Sequence, residues 1–156
     1  ELIQNLAVYS GHLGLAGGQY FDLTYENKKI SKKKIIDIQI NKTGKLFAFC
    51  CESIGIIKGF NYKKRNMLKK IGLEIGLLFQ ISDDLIDYKG ETKIVGKPTR
   101  KDKNKGKQTL INLIGYNKTL IFINNLKKKI NINIKKYGIK SNDLLQSVEF
   151  ILNRKF

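Results

Sequence analysis

The densest chemistry in the chain lies in "FQISDDLIDYKGE", residues 79 to 91. Asp83, Asp84, Asp87 and Glu91 crowd this window, although the chain holds only 13 acidic residues against 30 basic ones. The window overlaps the apolar run "IGLLFQI" and so reads as the end of a buried helix. On a helix Gln80, Asp83, Asp84 and Asp87 fall at i, i+3, i+4 and i+7 and share one face. Like charges at that spacing repel, and a helix C-terminus adds the negative end of its dipole. Something positive should hold these carboxylates. A hard divalent cation would do so: Mg²⁺ takes oxygen ligands and is typically held by one or two carboxylates plus substrate phosphates. The competing reading is a solvated helix end whose charges only face water.

Two lysine-bearing stretches lie on either side. "NKTGKLF", residues 41 to 47, puts Lys42 and Thr43 in mid-helix beside Gly44. "GKPTRKDKNKGKQT", residues 96 to 109, presents Gly96-Lys97 and Gly106-Lys107. Lysine ammoniums bind phosphate as point charges, and glycine lets backbone approach an anion. Each stretch alone is weak in so lysine-rich a chain. Their order around the aspartates gives them weight.

The elements that must position these groups read as helices. Residues 1 to 23 form a first, glycine-rich helix, followed by the polar break "TYENKK". Ser31 caps a second helix over about 32 to 57, with Ile35, Ile36, Leu46, Phe49, Cys50, Ile54 and Ile57 as its apolar positions. Gly59 closes it and Asn61 caps a third, over about 62 to 87. There Met67, Leu68, Ile71, Ile75, Leu78, Phe79 and Ile81 cover a wide face, which predicts burial on several sides. Residues 89 to 108 lack an apolar period and read as a long, charged loop. A short helix starts near Thr109, and two more span about 116 to 137 and 142 to 153, divided by Gly138 and capped by Ser141. Within the first of these, "NNLKKKININIKKYG" has a partial strand-like alternation, but its helical neighbours favour helix. The expected fold is all-α, antiparallel helices around a very apolar central one.

Bulk properties narrow the function less than they first suggest. With 156 residues and 42% apolar composition, the chain is one domain or part of one. A net charge of +17 ordinarily points to nucleic acid or an anionic surface. Here lysines occur in almost every segment, as drift toward Lys, Ile and Asn would leave them, and no aromatic residues interleave a basic patch. No nucleic acid is expected. Adjacent Cys50 and Cys51 read as buried apolar thiols, and the lone His12 offers no metal-ligand spacing. No leader pattern opens the chain and no apolar run reaches the length of a spanning helix, so the cytoplasm is the expected compartment.

Four stretches together resemble the trans-isoprenyl diphosphate synthases, most closely the bacterial farnesyl diphosphate synthases. Gly17, Gly18, Gln19, Asp22 and Leu23 resemble that family's Gly-Gly-Gln-x-x-Asp-Leu helix end. "NKTGKLF" resembles its Lys-Thr-Gly motif, "FQISDDLID" its second aspartate-rich motif, and "GKPTRKDKNKGKQT" its Gly-Lys loop. The resemblance runs nearly end to end and corresponds to the C-terminal half of the family's domain. It implies an all-α isoprenoid synthase bundle around a deep cavity. It also implies a reaction in which an allylic diphosphate, bound through Mg²⁺, ionises to a carbocation that isopentenyl diphosphate attacks. On that resemblance Asp83 ligates Mg²⁺, with Asp84 and Asp87 acting through its waters or behind it. Lys42, Lys97 and Lys107 hold the allylic diphosphate, Thr43 and Gln80 orient it, and Gln19 and Asp22 support.

The chain also departs from the family. The first aspartate-rich motif is missing, with its Mg²⁺ sites, the isopentenyl diphosphate site and the residues that set product length. Arg100-Lys101 replace the usual glycine-alanine before Asp102, and a proline expected soon after Thr109 is absent. The chain is therefore expected to need an N-terminal half or a partner chain, to be inactive alone, and to form a homodimer when intact. Farnesyl diphosphate is the expected product. A longer-chain synthase and a non-catalytic or degenerate partner subunit are the alternatives.

Overall fold

A computed structural model describes residues 1–89 and 108–154, apart from the Lys140 side chain. The described elements are all helical: α1 (Leu2–Ser10), α2 (Leu15–Thr24), α3 (Lys32–Gln39), a π-helical turn (Ile40–Gly44), α4 (Lys45–Ile57), α5 (Tyr62–Lys89), α6 (Leu110–Ile114), α7 (Tyr116–Lys135), a 3₁₀ turn (Ile139–Ser141) and α8 (Asn142–Asn153). The expected all-α class holds, and the alternating stretch in α7 is helical throughout. Two compact units result. One comprises Glu1–Thr24 and Ile36–Leu77, the other Tyr25–Ile35 and the described residues from Leu78 onward.

In the first unit two interruptions break helices that the sequence reads as continuous. The expected helix over 1 to 23 ends at Ser10, where Gly11 turns extended at φ −77°, ψ −160°, and resumes at Leu15. The expected helix over 32 to 57 contains the π-turn, closed by the Lys45 N–H on the Ile40 carbonyl. That longer ring holds one extra residue and so rotates every later position by about 100°. The apolar positions extrapolated across it are accordingly wrong. Leu46, Cys50, Ile54 and Ile57 are exposed, while Ala48, Glu52 and Gly55 face inward. Glu52 is tolerated there because the buried Tyr9 hydroxyl donates to its carboxylate. Burial, then that hydrogen bond, pushes the Tyr9 phenol up. The cysteines are not the buried pair expected. Cys50 is exposed and Cys51 half-buried, its thiol pushed up to about 11 by burial.

Close backbone approach fixes the π-turn from the side of α5. A Cβ on Gly76 would lie 2.5 Å from the Gly44 Cα, and one on Gly44 would lie 3.1 Å from the Leu73 carbonyl oxygen. Only glycine permits backbones this near. Gly44, read from the sequence as part of a phosphate motif, is thus also the contact point between two helices.

The second unit follows its sequence pattern more closely. Asn61 caps α5 through the Lys64 N–H, which lies in the first unit, and in the second Ser31 accepts from the Lys34 N–H and Thr109 from the Asn112 N–H. Ser141 does not cap as expected, because its hydroxyl donates to the Gly138 carbonyl at 2.6 Å instead. Ile123, Leu126, Ile130 and Ile134 form the buried stripe of α7 at helical spacing. Leu78 and Ile81 of α5 and Val148 of α8 are fully buried. Burying such side chains contributes about 1.5–3 kcal/mol each.

Candidate functional site

The sequence-predicted residues fall into both units. Lys42 and Thr43 occupy the π-turn of the first. Such turns recur where a helix must present side chains off its regular register. Lys42 Nζ lies 2.6 Å from Asp22 Oδ2, and both side chains are mostly buried, at 24% and 19% exposed. The two motifs are one construction. Gly18 of α2 is buried against the π-turn, and a Cβ there would lie 2.2 Å from the Lys42 backbone nitrogen and 2.7 Å from the Asn41 carbonyl carbon. Glycine at 18 lets α2 come close enough for Asp22, one turn later, to reach Lys42. Gln19 is half-buried in the same turn.

Gln80, Asp83, Asp84 and Asp87 sit on successive turns of α5 in the second unit, on the face their spacing requires. The Gln80 amide donates to Asp84 Oδ1 at 3.3 Å, and Asp84 is only 5% exposed. Asp83 instead meets the guanidinium of Arg154, just past the end of α8. Arg154 also donates to the Phe79 carbonyl at 3.2 Å and lies 4.1 Å above the Phe79 ring. Asp87 is half-buried. Lys97 and Lys107 lie outside the described residues.

Arg154 is the residue that sequence reading missed. The question of what holds the carboxylates has, at Asp83, a protein cation as its answer. The only signal was one arginine after an amphipathic C-terminal helix, and nothing in the spacing tied it to position 83.

The donor set discriminates between kinds of metal site. Among the described residues no group of three or more His, Cys, Asp and Glu could hold a metal ion. Asp83, Asp84 and Asp87 have the chemistry for an arrangement in which one or two carboxylates meet a Mg²⁺ whose remaining ligands are water and diphosphate oxygens. Among the described residues no helix is long and apolar enough to cross a membrane.

Comparison with known proteins places the chain. A profile described as Polyprenyl synthetase matches residues 5–144. The farnesyl diphosphate synthase of Micrococcus luteus is 37% identical over 115 residues, which is 74% of this chain and 40% of that protein. The farnesyl diphosphate synthase of Geobacillus stearothermophilus is 32% identical over 125 residues, 78% of this chain and 42% of that protein. Among solved structures, an FPP/GFPP synthase from Zymomonas mobilis superposes with a TM-score of 0.82 at 34% identity, over 96% of this chain and 49% of that one. A geranyltransferase from Helicobacter pylori, complexed with magnesium and isoprenyl diphosphate, gives 0.80 at 25% identity, over 97% of this chain and 50% of that one. The chain thus spans less than half the length of these two curated relatives.

Proposed function

Because the chain belongs to the polyprenyl synthetase family, we propose that it forms the C-terminal half of a prenyltransferase domain. That enzyme condenses an allylic diphosphate with isopentenyl diphosphate, and farnesyl diphosphate is the product we assign. The observation that carries the reading is the placement of Gln80, Asp83, Asp84 and Asp87 on one face of α5 within the family match. The names of the curated relatives support the product assignment.

Each residue has a role suited to its chemistry. Lys42 holds the allylic diphosphate, and an ammonium with three donors can keep Asp22 while giving another N–H to a phosphate oxygen. Thr43 orients the same group. Gln80, its amide directed to Asp84, acts through its carbonyl oxygen on developing positive charge. Asp83 holds Mg²⁺, with Asp84 and Asp87 fixing its surroundings. When bound, Mg²⁺ supplies charge neutralisation for the departing diphosphate. Lys97 and Lys107 complete the diphosphate contacts in this proposal.

No second window pairs aspartates on an apolar helix in this sequence. Turnover therefore requires an N-terminal half, joined to this chain or supplied by a partner, and a homodimer of the completed domain is expected. The test is product chromatography with geranyl diphosphate, isopentenyl diphosphate and Mg²⁺. A fifteen-carbon diphosphate should form only when an N-terminal half is present, and chelation should abolish it. Asp83→Ala should lower turnover by roughly two orders of magnitude or more, on the scale of lost electrostatic stabilisation. Unchanged kinetics in that variant would remove the metal assignment, and turnover by residues 1–156 alone would remove the need for a second half. Longer products would favour a longer-chain synthase. No turnover in any combination would favour a non-catalytic partner subunit.

A further inference from the structure

The carboxylate singled out for a metal already faces a cation from its own chain. We propose that Arg154 is the resident counter-ion of Asp83 and competes with a divalent cation for it, so that metal enters together with a diphosphate rather than ahead of it. This rests on the reading of Asp83 as a metal ligand.

Three observations carry the inference. The Arg154 side chain is only 5% exposed, and a guanidinium withdrawn that far from water needs an anionic partner. Asp83 provides it. Contacts other than Asp83 also keep the guanidinium in place: the Phe79 carbonyl at 3.2 Å and the Phe79 ring face at 4.1 Å. Finally, the backbone carrying Arg154 is fastened to the same stretch of α5, because the Ser82 hydroxyl donates to the Ile151 carbonyl at 2.8 Å. The positive charge therefore cannot withdraw to solvent without breaking several contacts.

A divalent cation on Asp83 must then share that carboxylate with a guanidinium held beside it. Repulsion between the two cations is strong in a partly dry setting, and it opposes metal binding in the absence of an added anion. A diphosphate reverses the balance. Its oxygens ligate the metal, and its charge offsets that of the guanidinium, which is itself a good donor to phosphate.

The experiment measures Mn²⁺ binding to the full chain by electron paramagnetic resonance, with and without inorganic pyrophosphate. Native protein should bind Mn²⁺ weakly alone and much more tightly with pyrophosphate. Arg154→Gln keeps a donor for the Phe79 carbonyl and loses the charge. It should bind Mn²⁺ alone about tenfold more tightly, within the range over which neighbours of a metal ligand act, and narrow the gap between the two conditions. Arg154→Lys, which keeps the charge, should stay near native. Unchanged or weaker Mn²⁺ binding in Arg154→Gln overturns the proposal. Asp83→Asn separates it from the reading beneath it. If Mn²⁺ binding ignores Asp83→Asn, the metal site itself is wrong. If Asp83→Asn abolishes binding while Arg154→Gln fails to tighten it, only the competition is wrong. Should Arg154→Gln lose its helical circular dichroism, guanidinium ¹⁵N signals of the unsubstituted chain decide. The Arg154 signal must move on addition of Mg²⁺ with pyrophosphate, and a signal that stays put overturns the proposal.

Discussion

Gly18→Ala sets two physical effects of opposite sign against each other. Gly18 lies within α2, where alanine is the better helix former by about 0.8–1 kcal/mol. Propensity alone therefore makes the variant more stable. The added methyl, however, would sit 2.2 Å from the Lys42 nitrogen, 2.6 Å from its Cα and 2.7 Å from the Asn41 carbonyl carbon. All three atoms are backbone, so no side chain can swing aside. Overpacking of this kind costs about 1–3 kcal/mol, and a contact with backbone alone belongs at the upper end. The net expectation is a loss of about 1–2 kcal/mol. With a urea m-value of about 2 kcal/mol/M, the unfolding midpoint should fall by roughly 0.5–1 M. The same variant should bind pyrophosphate more weakly, since α2 can accommodate the methyl only by displacing the turn that carries Lys42 and Thr43. A midpoint that rises would refute the close approach of α2 to the π-turn, and with it the explanation of why the Gly-Gly-Gln-x-x-Asp and Lys-Thr-Gly stretches occur together.

Three further outcomes are expected. Asp22→Asn should cost about 1–2 kcal/mol, between exposed and fully buried ion pairs; a double-mutant cycle with Lys42→Ala should return a coupling of about 1 kcal/mol, and a coupling near zero would mean the pair is incidental. At pH 8 a thiol reagent should label the exposed Cys50 quickly and Cys51 slowly, because burial holds the Cys51 thiol up at about 11; equal rates in the folded chain would contradict this placement. Ile54 and Ile57 are 56% and 69% exposed on one side of α4. Replacing both with Gln should reduce binding of an apolar dye while changing stability by less than about 0.5 kcal/mol per site, and undiminished dye binding would show that these two side chains do not form an apolar patch.

What could be read from the sequence was local. Caps at Ser31 and Asn61 appear where short polar side chains precede apolar periods, because the hydrogen bond that makes a cap spans only three residues. The bounds of α8 and the helical state of α7 are legible instead from their apolar spacing. The π-turn is not legible from periodicity, since one inserted residue leaves composition unchanged while rotating everything after it. That single event explains why Leu46, Cys50, Ile54 and Ile57 read as core and are exposed, whereas Ala48 and Glu52 are buried. The link between Gly18 and Lys42 was invisible from spacing alone, because a glycine's reason for being there is the atom it lets in from elsewhere.

The aspartate window shows how a correct electrostatic premise can lead to an incomplete inventory. Crowded carboxylates do require positive charge, but the requirement is not uniform along α5. That helix is described as far as Lys89, two residues beyond the expected end. Asp84 is buried with an amide donor from Gln80, and Asp83 has an arginine. A group that reaches Asp83 must therefore contend with a cation already there. In the proposed metal site the charge beside Asp83 bears directly on cation binding. Arg154→Gln thus tests the electrostatics of the site more sharply than removal of any aspartate, because it changes the charge beside the carboxylate and leaves every candidate ligand in place.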